Sequence, residues 1–260
     1  MDESDGDSSD KFDSASLQRE DKSAKDLQRF RNLVDGSNHV VVLTGAGIST
    51  NAGIPDFRGA TGLYQTGAYD PEKVFDIRCF LRDPEPFYEF AIDFMVLLRE
   101  AKPTPTHRWL RKMEDRGKLD AVITQNIDCL HKRAGSRRVI ELHGSFEKSY
   151  CMMCKKEYSL EDLEEILPGR CSCGGLIKPD IVFYGEQVKN LESAVSLSKS
   201  SDLFLVIGSS LAVYPASYLP MLGRGEVVII NRGRTFYPES AWHIDEDADI
   251  FFLSLNARGL

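Results

Sequence analysis

Residues 39–59, HVVVLTGAGISTNAGIPDFRG, constrain the fold more than any other stretch of this chain. Val40 to Leu43 is an unbroken apolar run, β-branched at three of its four positions. That predicts a strand buried on both faces, the kind found inside a parallel sheet. The run leads straight into Thr44-Gly45-Ala46-Gly47, where glycine permits a sharp turn and lets backbone N–H groups approach phosphate oxygens. Gly45 and Gly47 occupy the first two positions of the dinucleotide fingerprint G-x-G-x-x-G, but Thr50 stands at the third. On this motif alone, a nucleotide-holding turn and an ordinary glycine turn both stay open. Gly53 to Gly59 then sets a carboxylate, an aromatic ring and a guanidinium between glycines, a composition suited to a loop that closes over a cofactor.

The remaining chain alternates. Helices are predicted from Ser23 as N-cap through Leu27, Phe30, Leu33 and Val34 to Gly36, over Pro84 to Glu100 and over Thr106 to Arg116. In the long helix, Phe87, Phe90, Ala91, Phe94, Leu97 and Leu98 face inward. Strands are expected at Leu119–Thr124, Arg138–Leu142, Leu203–Ile207, Val227–Ile230 and Ile250–Leu253. Strand and helix in alternation imply an α/β fold, a Rossmann-like and mostly parallel sheet with helices on both faces. From Glu147 to Leu176 the rhythm stops. No sheet-like core strand is evident there, and four cysteines mark a small inserted module. Residues 1–22 are Asp/Ser-rich and are expected to form a disordered acidic tail.

Charge supports this division. The net charge is −8, and residues 1–28 carry nine acids and four bases, −5 of that total. The folded body is only mildly acidic, which argues against a nucleic-acid surface and is compatible with a basic peptide as partner. No apolar run reaches the length of a membrane span, and the N-terminus lacks a signal-peptide core. An intracellular setting, cytoplasmic or nuclear, is expected, with the six cysteines read as thiols or metal ligands.

Polar or glycine-rich residues follow each of five strands: Thr44 to Gly47, Thr124 to Asp128, His143-Gly144, Gly208 to Ser210, and Asn231 to Gly233. In open α/β sheets ligands bind beyond the carboxyl ends of the strands, so a parallel sheet would gather all five at one crevice. Among five histidines, only His143 stands at the carboxyl end of a core strand, where an imidazole can act as a general base. His39 belongs at the opposite end, His107 at a helix start, His131 in a helix and His243 in a late loop. Cys151, Cys154, Cys171 and Cys173 suit a closed, tetrahedral structural zinc site. The Cys-x-Cys pair needs a tight turn, which Gly174 and Gly175 permit. Cys79 and Cys129 read as small core residues. Lys178 to Glu186 and Gly208 to Pro215 are two extended segments between which a peptide could add as a strand.

Taken together, GAGIS at 45–49, GIPDFRG at 53–59, TQNID at 124–128, His143-Gly144, the four cysteines, VFYGE at 182–186 and GSS at 208–210 resemble the sirtuin family of NAD-dependent protein-lysine deacylases. The resemblance covers about residues 25–256. It implies a Rossmann-like large domain (about 23–55, 101–146 and 177–260). A small domain would comprise a helical, cofactor-loop part (about 56–100) and the zinc module (about 147–176). It also implies NAD bound between them as co-substrate. By the same resemblance, Gly45, Ala46, Gly47, Thr50, Asp56, Phe57, Arg58 and Tyr64 would contact NAD from the cofactor loop. Gln125, Asn126, Ile127 and Asp128 would line the ribose and nicotinamide pocket, Asn126 sharing the catalytic role with His143. Gly208, Ser209, Ser210, Asn231, Arg232 and Ala248 would hold the adenosine half. Val182, Phe183, Gly185, Glu186, Val213 and Tyr214 would hold the acyl-lysine peptide, histone tails being one possible source.

The implied reaction moves the acetyl group from lysine to ADP-ribose and releases nicotinamide and O-acetyl-ADP-ribose. Acceptance of longer acyl chains, protein ADP-ribosylation and a non-catalytic NAD-sensing role are the alternatives. A hydride-transferring dehydrogenase is disfavoured by the missing third glycine. Tyr184 replaces the more usual Phe of Phe-Gly-Glu. The Tyr-x-x-Arg pair of family members that favour acidic acyl groups falls at Ala91 and Phe94, so acetyl-lysine is the expected substrate. Oligomeric state is left open.

Overall fold

The computed structural model describes residues 24–56, 67, 69–237 and 240–257. The acidic tail, the Ser23 cap, Phe57, Arg58 and Tyr64 lie outside the described residues.

Six parallel strands form the main sheet, in the order β3-β2-β1-β7-β8-β9. β1 (Val40–Thr44) is paired on both sides, with β2 (Ala121–Thr124) and with β7 (Leu203–Ile207). The chain builds outward through β2 to β3 (Val139–Glu141), then returns to the other flank for β7, β8 (Glu226–Ile230) and β9 (Trp242–Ile244). The strand order therefore reverses between β1 and β7, which places a crevice at their carboxyl ends.

Both faces of the sheet are covered, and period-two alternation decides which residue goes where. Val40, Val42, Leu203, Leu205 and Ile207 pack with Leu27, Phe30 and Val34 of the 24–36 helix and with Trp109, Phe251 and Phe252. Val41, Leu43, Phe204 and Val206 face the other way, onto Ala194 and Leu197. This double burial is why the strands read as unbroken apolar runs.

Three expectations are corrected. Ile250–Leu253 is helical, within the helix Ala248–Ala257. The Asp247 carboxylate receives the N–H groups of Asp249 at 2.9 Å and Ile250 at 3.2 Å, satisfying the first turn. Phe251, Phe252 and Leu255 are then buried while Ile250 and Leu253 stay exposed, a helical division of the apolar residues. His243 lies in β9, paired with Ile229, and not in a loop. The cysteine module does contain strands. β4 (Gly144–Cys151) is the centre of a three-stranded antiparallel sheet with β5 (Glu157–Ser159) and β6 (Ile177–Ile181). Its polar composition and its irregular register between Gly144 and Ser149 hide it from an apolar-run search.

The small sheet shares a core with the helices after the opening loop. Phe80, Phe87, Phe90 and Phe94 pack against Phe146, Cys151, Leu163, Ile177 and Phe183. The helix Glu85–Glu100 supplies three of these rings, Phe87, Phe90 and Phe94, and its inward face is as expected except that Leu97 is only partly buried. Its edge-to-face contacts, such as Phe80 with Phe87 at 5.4 Å, add aromatic stabilisation to the area buried. The helix Pro105–Asp115 returns the chain to the main sheet. Among the described residues, no helix is long and apolar enough to cross a membrane.

Candidate active site

The parallel strands deliver their carboxyl-terminal residues to one cavity of about 620 Å³. Gly45, Ala46, Gly47, Gln125, Asn126, Ile127, His143, Gly208, Ser209, Ser210, Asn231 and Arg232 line it, as does Asp56. Its other wall is Val182, Phe183, Gly185, Glu186, Val213 and Tyr214, so both extended segments border the same space. Thr50, Asp128 and Ala248 do not line it. Thr50 is exposed, and its hydroxyl donates to Gly47 O at 3.1 Å. Ala248 is buried against the main-sheet core at the start of the last helix.

The opening glycines have a second reason to be glycine. Gly47 N–H donates to Gly208 O at 2.9 Å. A Cβ at Gly45 would stand 2.7 Å from that same oxygen, and one at Gly47 would stand 2.8 Å from Gly208 Cα. The turns after β1 and β7 thus pack backbone on backbone across the switch point. The third fingerprint glycine is not needed, because the Gly208 turn closes the site from the other strand.

Beneath the cavity floor, Asp128 is 4% exposed. Its Oδ2 accepts from Ser49 Oγ at 2.6 Å, and its Oδ1 accepts from Leu130 N–H at 2.9 Å. Burial pushes this carboxyl above the usual range while those donors pull it back. Asn126 Nδ2 donates to Gly45 O at 3.1 Å and Ser49 Oγ at 3.2 Å, so Ser49 ties both polar side chains to the β1 turn. Gln125 Nε2 donates to Ser209 Oγ at 2.8 Å, linking the β2 and β7 ends.

His143 Nδ1 lies 2.9 Å from the backbone oxygen of Gln125. A carbonyl can only accept, so Nδ1 carries the proton and the lone pair is on Nε2. Burial pushes the imidazole below its ordinary range, against the pull of that carbonyl, which keeps the ring neutral near pH 7. The residue before β4 is therefore in the form a general base requires. Gly144 turns the chain immediately afterwards at φ +72°, and a Cβ there would sit 1.9 Å from Asp180 O.

The other histidines serve structure. His39 pairs with Asp120 at the amino end of the sheet. His107 completes a capping box with Thr104 at the start of its helix. His131 is buried beneath the strand ends, and His243 sits in edge strand β9.

Cys151, Cys154, Cys171 and Cys173 converge with all four Sγ atoms within 4.8 Å of one another. A tetrahedral zinc with four thiolates needs sulfurs about 3.8 Å apart, and the closest pairs here are 3.4 and 3.5 Å. The Cys-x-Cys pair is folded inward by Gly174, at φ +88°, whose N–H donates to Cys171 O at 2.7 Å. Four protein sulfurs leave no open position for substrate, so the donor set fits a structural ion. Cys79 and Cys129 are half-buried and are not among these four sulfurs.

Four features escaped the sequence reading. Phe75, Ile181, Val188, Ala212 and Arg234 also line the cavity. Ser49 is wholly buried and joins Asp128 to Asn126. Its serine, two residues after Gly47, was visible, but not its partners. Tyr184 is held by main-chain bonds to Phe75 O and from Ile77 N, so the substrate-side segment is clamped to the helical region. Lys178, 1% exposed, pairs with Glu186 Oε2 at 2.9 Å, and the same oxygen accepts Phe183 N–H at 2.8 Å.

A family model described as "Sir2 family" matches residues 45–215. An NAD-dependent protein deacetylase of Thermotoga maritima is 45% identical over 225 residues, covering 83% of this chain and 90% of the relative. One of Saccharolobus solfataricus is 46% identical over 207 residues, covering 76% and 83%. Among solved structures, a Sir2–p53 peptide–NAD+ complex superposes with a TM-score of 0.82 at 43% identity, covering 90% of this chain and 98% of that one. A Sir2 bound to acetylated peptide gives 0.81 at 42% identity, with the same coverage.

Proposed function

The chain belongs to the Sir2 family, and on that premise we propose that it removes acetyl groups from protein lysines in a reaction that consumes NAD. The observation that carries this reading is the placement of His143: its Nδ1 lies 2.9 Å from Gln125 O, and the residue stands on the wall of a cavity lined by the ends of five strands.

NAD supplies a nicotinamide leaving group and a ribose that accepts the acetyl group. The cavity fits it, because the main chain of the Gly45–Gly47 turn, with no side chain larger than the Ala46 methyl, and the Ser209 and Ser210 side chains border one continuous space. Ala46, Gly47 and the Gly208 turn would hold the phosphates, and Asn231 and Arg232 the adenosine half. Asp128 would orient the carboxamide from beneath, steadied by Ser49, and Asn126 with Gln125 would fix the ribose. Holding reacting groups in line supplies much of the rate in such a site. His143 would take the proton of a ribose hydroxyl on Nε2. Thr50, Phe57, Arg58 and Tyr64 complete the proposed cofactor loop, and Ala248 the adenine side.

The acyl-lysine would lie between Val182–Phe183 and Val213–Tyr214. Phe183 itself is 1% exposed and belongs to the aromatic core, so its contribution is through the main chain. Ala91 and Phe94 are both buried among rings and offer no cation to an acyl carboxylate, which supports acetyl over succinyl groups. Histone tails are one candidate source of the acetylated peptide, and an intracellular setting follows from that substrate class. A division into a large and a small domain is supported by the aromatic core, which also takes in Phe146, Ile177, Ile181 and Phe183 and so reaches past the bounds 56–100 and 147–176 expected for the small one.

The test is His143→Ala. NAD binding measured by calorimetry should be largely retained while deacetylation of an acetyl-lysine peptide falls at least ~100-fold, the size of a general-base contribution. Undiminished turnover would remove the assigned base.

A further inference from the structure

A buried polar chain runs behind the strand ends, among residues to which the proposed reaction gives no part. His131 is 2% exposed, and its Nε2 lies 2.9 Å from Thr44 Oγ1. The Thr44 hydroxyl donates to Thr124 Oγ1 at 2.9 Å. That same oxygen accepts the backbone N–H of Asn126 at 3.1 Å. Since the single Thr44 proton goes to Thr124, His131 Nε2 must be the donor to Thr44, and its Nδ1 is an acceptor.

A second buried imidazole packs against the far side of His131. His107 is fully buried, and its Nδ1 lies 3.3 Å from the Thr104 N–H and 2.9 Å from the Thr104 hydroxyl. Nδ1 is thus an acceptor and Nε2 carries the proton. His107 Nε2 and His131 Nδ1 are both buried without a hydrogen-bond partner, and the ring centres are 4.7 Å apart. One ring offers a donor and the other an acceptor. The two rings are packed together without a hydrogen bond between them, so the His131 tautomer is fixed by its bond to Thr44 alone.

We infer that His131 is a positioning residue for Asn126, acting through Thr44 and Thr124. The inference rests on the proposed function for the role of Asn126. The chain fixes the main chain of Asn126 from behind, while Gly45 O and Ser49 fix its side chain from the front. Because Thr44 and Thr124 end adjacent strands β1 and β2, the same bonds set the height of Asn126 over the β1 turn.

Four variants and one spectrum test this. His131→Leu should lower kcat about tenfold, the worth of one neutral hydrogen bond, with the peptide KM unchanged. Thr44→Val should do the same. The double variant removes both partners, so its denaturation midpoint should return toward wild type while kcat stays about tenfold down. Thr44→Ser, which keeps the hydroxyl, should keep turnover. Recovery of kcat together with stability in the double variant would leave only a structural role and overturn the inference, as would single losses that multiply to about a hundredfold. Nitrogen-15 spectra of the full chain at pH 7 should show both imidazoles neutral with Nε2–H. An Nδ1–H His131 overturns the inference whether or not any variant folds. A wild-type chain without acetyl-lysine turnover would instead defeat the proposed function, and the spectrum would still decide the hydrogen-bond chain.

Discussion

Lys178→Met removes the cation from a site that has almost no access to water. Lys178 Nζ meets Glu186 Oε2 at 2.9 Å, Ile181 O at 2.5 Å and the face of Phe183 at 4.2 Å. Burial pushes the ammonium below its ordinary range, with Glu186 opposing that shift, so the charge is held by its partners. Methionine fills a similar volume and leaves the Glu186 carboxylate without its counter-ion. Breaking a buried pair costs about 3–5 kcal/mol, and the low end applies because the Glu186 side chain keeps 26% exposure and can be hydrated. A loss of about 3 kcal/mol in a chain of this size lowers the melting temperature by about 6–12 °C. The same change frees the main-chain segment from Val182 to Phe183, since Glu186 also holds Phe183 N–H. The peptide KM should therefore rise while NAD affinity, set across the cavity, stays. Thermal denaturation, peptide kinetics and NAD calorimetry on one preparation read all three. A stability loss under about 1 kcal/mol would show that the charge is not held by burial and pairing. An unchanged peptide KM beside a full stability loss would separate the pair from the substrate wall.

Acidification should expose the buried histidines. Burial depresses His107 from 6.5 to about 3, so the unfolded chain binds the extra proton between those values. Stability is intact above pH 6.5 and falls as pH drops, by about 1.4 kcal/mol per unit for this group. A His107→Gln variant should lose that share of the acid slope in denaturant titrations at pH 7 and 4.5, and an unaltered slope would refute it. Purified, folded protein should hold one zinc per chain by elemental analysis; Cys171→Ser should lose it and melt residues 147–176 while sparing NAD affinity. Gly144→Ala should destabilise by more than about 2 kcal/mol and depress kcat, because the methyl would meet Asp180 O at 1.9 Å in a left-handed backbone. Wild-type stability in a denaturation curve would contradict that geometry.

The parallel sheet was legible because strands buried on both faces have no polar interruptions, as at Val40–Leu43 and Leu203–Ile207. The same signal misleads at Ile250–Leu253, where Asp247 satisfies the N–H groups of a helical turn and the outward residues remain apolar. β4 was hidden for the converse reason: Glu147, Lys148 and Ser149 break any apolar run, and its pairing depends on β6, some thirty residues on. Residues at strand ends could be found because topology alone collects them. Ser49, Lys178 and His131 could not, because each acquires its place from partners that only tertiary packing supplies.

Gly144 joins the last strand of one half of the parallel sheet to the central strand of the antiparallel one, and His143 is the residue just before it. The imidazole is moored to Gln125 O, at the end of β2, whereas Phe146, Cys151, Ile177 and Ile181 of the antiparallel sheet pack with the phenylalanine-rich core. Val182 N–H donates to His143 O at 2.8 Å and Phe146 N–H to Ile127 O at 3.1 Å, so the peptide wall and the antiparallel sheet are anchored by main-chain bonds to the same strand ends that position the base.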